Sequence, residues 1–175
     1  MSFRPRALLV GLVMLASATL PAAASASQPA LSADLDGRAI ALTDVSNFYC
    51  HDFDWPAIHC FSTPAAVERA VAQVAVERNP EAADTAEAVS ALSYIRVFDW
   101  TWYAGAYIYL SQDYSDLGAI GWNDRISSYT GSNDETSALF VDTYHQGAGI
   151  IVCCNNIAST LSSTYDNKIS STERL

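Results

Sequence analysis

The hexapeptide Asn123-Asp124-Arg125-Ile126-Ser127-Ser128 returns 43 residues later as Asp166-Asn167-Lys168-Ile169-Ser170-Ser171. A true structural repeat carries its turns with its loops, and this one does. Phe98 is followed seven positions on by Gly105, and Phe140 by Gly147. Each glycine opens a run of β-branched and aromatic residues, Ala106 to Leu110 and Ala148 to Val152. The chain therefore closes on a unit of about 42 residues used twice, which requires two equivalent supersecondary elements packed on each other.

From Ser93 onward short β-prone runs alternate with Gly, Asn, Asp and Ser turns. Two copies of four short strands each fit a Greek-key sandwich, whose two sheets bury their inner faces together. Tyr94, Phe98, Trp100, Trp102, Tyr103, Tyr107, Tyr109 and Trp122 supply the first copy with aromatic core material. The expected class is mainly β, with Greek keys over about 93–136 and 137–175.

Upstream, residues 27–92 do not share the repeat. Asp36-Gly37 marks a turn into a strand-like piece over Arg38 to Thr43. Thr63 and Pro64 then read as cap and first residue of a helix over about 64–78. Val67, Ala70, Val71, Val74 and Ala75 line one face of it, and Asn79-Pro80 ends it. Glu81 to Ala91 reads as a weaker helix or a linker. This small α/β region is a companion module, a propeptide or an arm on the repeat domain; at some 65 residues it is marginal alone.

The first 26 residues have the form of an export signal: Arg4 and Arg6, an apolar run from Ala7 to Leu20, and Ala24-Ser25-Ala26 for cleavage. No later segment reaches the roughly 18 apolar residues of a membrane span, so the expected product is secreted, with no membrane contact after cleavage. Its loss removes two basic residues and no acidic one, taking the net charge from −10 to −12. That acidity argues against nucleic-acid binding and for attraction of cations. In an oxidising compartment Cys50 and Cys60 are expected to pair. Their neighbours His51 and His59 leave a zinc site as the alternative. Cys153 and Cys154 are open to a vicinal disulfide, pairing elsewhere, or free thiols.

The repeat resembles the βγ-crystallins, whose motif is an aromatic, an acid, a second aromatic, x-Gly, and later a Ser that fastens the folded hairpin. Phe98-Asp99, Tyr103, Gly105 and Ser128 match in the first copy. In the second, Phe140 and Gly147 match, but Val141 stands at the acid position and His145 at the second aromatic. Both hexapeptides match the [N/D][N/D]-x-x-[S/T]-S loops of the microbial calcium-binding members. The resemblance covers about residues 93–175 and implies a βγ-crystallin-like β-sandwich with two calcium ions between the loops.

Carried over, side-chain oxygens would come from Asn123 or Asp124 and from Asp166 or Asn167, and hydroxyls from Ser127 and Ser170. Backbone carbonyls would come from Arg125 and Lys168, with their side chains pointing outward, and further ones from Asp99 and Val141. These are hard oxygen donors, as calcium requires. One carboxylate per loop places the affinity on the order of 10⁻⁵ to 10⁻³ M. His145 is expected to pack over its glycine turn, and Trp100 and Trp102 to pack in the core or fold the hairpin. No nucleophile, base and orienting group occur together, so no enzymatic activity is expected. The expected function is a secreted, non-catalytic calcium-binding protein. A secreted protease is the partner of the alternative reading, because a family of bacterial metallopeptidase inhibitors has the same fold; toxins on this fold form a third class.

Overall fold

The computed structural model describes residues 30–132 and 136–175; the export signal expected over residues 1–26 lies outside them. The chain begins with β1 (Ser32–Leu35), β2 (Arg38–Ala39), a 3₁₀ segment over Leu42–Asn47, β3 (Tyr49–His51) and β4 (Ala57–Phe61). Two helices follow, α1 (Pro64–Arg78) and α2 (Thr85–Ser90). The repeated half supplies β5 (Ile95–Trp100), β6 (Ala104–Leu110) and β7 (Ser128–Gly131), then β8 (Thr136–Asp142), β9 (Gln146–Cys153), β10 (Ile157–Ala158) and β11 (Ser171–Arg174).

Two sheets form, in the orders β10-β7-β5-β6-β3-β4-β1-β2 and β11-β8-β9. The copies exchange strands across them. β10 of the second copy pairs with β7 of the first, and Tyr114 of the first bridges Thr172 in β11 of the second. That exchange ties two Greek keys into one sandwich. Ile95, Val97, Ile108, Leu110, Trp122, Ile126, Leu139, Val152 and Ile169 form its core.

Residues 27–92 had three readings, and the structure joins their described part to the repeat. β3 pairs in parallel with β6, Tyr49 opposite Tyr107 and His51 opposite Tyr109, so β1 to β4 prolong the first sheet. Side chains alternate along β6: Ile108 and Leu110 enter the inter-sheet core, while Tyr107 and Tyr109 face the helices. There they meet Val67, Val71 and Ala75 of α1, Ala88 of α2, Phe53 and Phe98. The architecture is thus helices, large sheet, small sheet: the expected β-sandwich, with the small α/β region packed onto it.

Local chemistry explains each helix. Thr63 accepts a hydrogen bond from the Ala66 N–H at 3.3 Å and Pro64 occupies the first helical position of α1. In the stretch read as weak helix or linker, Asp84 accepts from the Glu87 N–H at 2.8 Å, and the Glu87 carboxylate accepts from the Ala83 N–H at 2.7 Å. That reciprocal pair starts α2. Glu68 of α1 then fastens the helix layer to the sheet, accepting from the Tyr107 and Tyr109 hydroxyls at 2.8 Å each and from Arg96 at 2.9 Å. Cys50 and Cys60, directly opposed across β3 and β4, form a disulfide, which consumes the thiolates a zinc site would have needed. Cys153 and Cys154 form a vicinal disulfide.

Candidate functional site

The two copies build their loops in the same way. Each first hairpin bulges between its aromatic and the residue two positions on, at Phe98/Trp100 and at Phe140/Asp142. Asp99 and Val141 are the residues set outside the ladder register by those bulges. The chain then turns through paired left-handed residues, Trp102 and Tyr103 in one copy, Tyr144 and His145 in the other. Such angles are costly for large side chains, and each turn is held by a serine. Ser128 donates to the Trp100 carbonyl at 2.6 Å and accepts from the Tyr103 N–H; Ser171 donates to the Asp142 carbonyl at 2.6 Å and accepts from the His145 N–H.

The hexapeptides lie against each other across a pseudo-twofold. The Asp124 N–H donates to the Ile169 carbonyl and the Asn167 N–H to the Ile126 carbonyl, at 3.0 and 3.1 Å. Both donors are left-handed, with φ of 57° and 54°, a conformation Asp and Asn tolerate. Their side chains cross to the opposite loop. Asn167 Oδ1 stands 3.4 Å from Ser127 Oγ, and Asp124 Oδ1 stands 3.4 Å from Ser170 Oγ.

Several solved structures are similar to a part of this chain. A βγ-crystallin domain from Flavobacterium johnsoniae is 28% identical, covering 46% of this chain and 92% of that one, with a TM-score of 0.41. A βγ-crystallin from Ciona intestinalis is 22% identical over 47% and 99%, TM-score 0.42. The N-terminal domain of Protein S is 27% identical over 47% and 94%, TM-score 0.42. No protein-family model and no curated protein matches the chain. With exchanged Greek keys and serine-fastened hairpins in both copies, the topology decides the fold. It is βγ-crystallin-like.

Within this βγ-crystallin-like frame, four side chains were candidates for crossing, and two do so. Asp124 and Asn167 face the opposite hydroxyls. Asn123 instead braces Asp124, donating from Nδ2 to Oδ2 at 2.7 Å. Asp166 is half-buried, and its Oδ1 is buried with no hydrogen-bond partner among the described residues. A carboxylate oxygen so placed calls for a cation or a donor. Backbone bonds between and beside the loops use the carbonyls of Ile126, Ser127, Ile169 and Ser170, whereas those of Arg125 and Lys168 accept no described hydrogen bond.

The long side chains depart from expectation in one loop. Lys168 is exposed and its ammonium donates to the Ser163 carbonyl at 2.6 Å. Arg125 does not point outward. It folds back onto Asp99 with two hydrogen bonds of 2.9 Å and onto Ser46 with a third of 2.7 Å. The paired Asp99 carboxylate holds the guanidinium pKa above its ordinary value. Ser46 was invisible to sequence reasoning, since it lies 79 positions from Arg125 in a segment with no repeat.

His145 packs on Phe140 with ring centroids 5.8 Å apart, as Tyr103 packs on Phe98 at 5.5 Å, so it fills the second aromatic place. Of the two roles expected for Trp100 and Trp102, core packing does not hold, since they are 63% and 74% exposed, and both sit instead in the folded hairpin. Trp100 lies across Gly105, where a Cβ would come within 3.2 Å of the indole, and Trp102 sits at the left-handed tip of the turn.

Proposed function

We propose that the protein is a secreted, non-catalytic calcium-binding protein in which two ions between the loops lock the Greek keys together. One observation carries the reading: each loop sets a hydroxyl 3.4 Å from a side-chain oxygen of the other. That is long for an O–H···O hydrogen bond, which centres near 2.7–2.8 Å. It matches two oxygens sharing one calcium, since ligands at 2.3–2.6 Å and right angles stand about 3.3–3.7 Å apart. The donors are hard oxygens throughout, and the orphaned Asp166 oxygen adds negative charge beside them.

The first site would draw on Ser127, Asn167 and the carbonyls of Arg125 and Asp99. The second would draw on Ser170, Asp124 and the carbonyls of Lys168 and Val141. Bound there, calcium supplies a point charge that opposing loop oxygens share. The chain's own part is to hold those oxygens by the backbone bonds between loops and the serine-fastened hairpins. Because the donors come from both copies, the ions would stabilise the folded state and not the unfolded one.

Titration calorimetry on the mature chain is expected to give two ions with affinities on the order of 10⁻⁵ to 10⁻³ M. At a hundredfold excess over the dissociation constant, each site adds about 2.7 kcal/mol, raising Tm by about 5–10 °C. Ser127→Arg with Ser170→Arg should abolish both effects while the circular dichroism of the calcium-free protein is retained. Wild-type protein that gives neither heat nor a Tm shift at 10 mM calcium refutes the reading.

A further inference from the structure

Resting on that calcium reading, we infer that the N-terminal region is a working part of the first site. Ser46, acting through Arg125 and Asp99, is a positioning residue for the first loop. Calcium bound there should in turn tighten residues 42–48.

Asp99 and Arg125 are the two candidate donors of backbone carbonyls to the first site, and their side chains are tied to each other by a two-pronged ion pair. The pair is not left to itself. The third arm of the guanidinium reaches Ser46 Oγ at 2.7 Å, and Ser46 is 2% exposed. A guanidinium fixed on three sides in this planar fork has little freedom to swing its own backbone.

A second, independent contact joins the same two segments. Gly121, at φ +74°, lies two residues ahead of the loop, and a Cβ there would overlap the Thr43 carbonyl oxygen and lie 2.8 Å from Ser46 Oγ. The 3₁₀ segment over Leu42–Asn47 and the turn that leads into the first loop therefore meet at close range, with no room for a side chain at Gly121.

The second copy lacks the device. Val141 stands where Asp99 stands and offers no carboxylate, and Lys168 spends its ammonium on the Ser163 carbonyl within its own loop. The two loops are alike in sequence and in crossed oxygens, yet among the described residues only the first is braced by a side chain from outside the repeat. Coupling between a site and a brace is reciprocal: if Ser46 favours the loop geometry that takes calcium, calcium must favour the geometry that holds Ser46.

Hydrogen exchange of the full mature chain, with and without 10 mM calcium chloride, reads this directly. In wild type, calcium should slow exchange in both loops and also over residues 42–48. In Ser46→Ala the slowing over 42–48 should vanish and calorimetry should show one site weakened about fivefold or more, while slowing over 166–171 persists. A merely structural serine would shift stability without moving the calcium response of one site alone. The proposal is overturned if wild-type residues 42–48 ignore calcium while both loops respond, a result that needs no variant to fold. It is also overturned if Ser46→Ala keeps the full response. No response in either loop, with no heat of binding, would instead overturn the calcium reading itself and this inference with it.

Discussion

Residues 93–175 expressed without residues 30–92 are expected to lose cooperative folding, although they contain both Greek keys. Phe98, Tyr107 and Tyr109 are 2–6% exposed in the intact chain, covered by Phe53 and the helices. Each such ring buries roughly 150–250 Å². At about 25 cal/mol per Å² the three together represent about 11–19 kcal/mol, an upper bound. Losing even half of that is comparable with the 5–15 kcal/mol that holds a typical domain together. The truncation also strips β6 of its parallel partner β3, leaving a long hydrophobic edge. It removes the Asp52 carboxylate from the Ser111 N–H and the Tyr114 hydroxyl, and Glu68 from its two tyrosines. Calorimetry should show no sharp transition and dye binding should report exposed apolar surface. A monomeric fragment melting cooperatively within about 5 °C of the full chain would refute this.

The Greek keys and the loops were legible because they are periodic: a hexapeptide at a fixed phase of a repeat is a local signal twice stated. The integration of the N-terminal region was not, for a physical reason. The period-2 pattern of β6 says which side chains face which layer but not which strand takes its edge, and a parallel partner more than 50 residues upstream leaves no local mark. Arg125 shows the same limit. The loop pattern fixes its carbonyl, while its guanidinium follows whichever acceptors folding brings near, here Asp99 and Ser46. Residue type alone does not separate core from hairpin at Trp100 and Trp102, and backbone geometry does: the left-handed turn at Trp102 and Tyr103 carries Trp102 into solvent, while Trp100 lies across Gly105. The start of α2 does leave a local mark, since Asp84 three residues before Glu87 is a capping pair in plain sequence.

Two adjacent residues of the cysteine loop should give the protein a stability that varies little between pH 4 and 6.5, and mutation of either should expose the other. Asp52 is fully buried, and burial pushes its carboxyl up from 3.8 to about 6 despite hydrogen bonds from the Ser111 N–H at 2.7 Å and the Tyr114 hydroxyl at 3.1 Å. Between those values the native state holds a proton the unfolded state has released, so stability falls as pH rises. His51 is buried among the rings of Phe53, His59 and Phe61, with Nδ1 unpartnered among the described residues. Burial, reinforced by His59, pushes it down from 6.5 to about 4, so the native state binds fewer protons there and stability falls as pH drops. Each shift is worth about 3 kcal/mol when fully expressed, and the slopes oppose over nearly the same window. Asp52→Asn, which keeps an acceptor for Ser111 and a donor for Tyr114, should lose about 3 kcal/mol on going from pH 6.5 to 4. It should equal or exceed wild type at pH 7, where the buried charge is gone. His51→Phe, placed between two phenylalanines, should show the reverse: greatest stability near pH 4 and a loss of about 3 kcal/mol by pH 6. Urea midpoints at pH 4, 5, 6 and 7 decide it, and variants whose profiles run parallel to wild type would show that neither group titrates in the folded core as its burial requires.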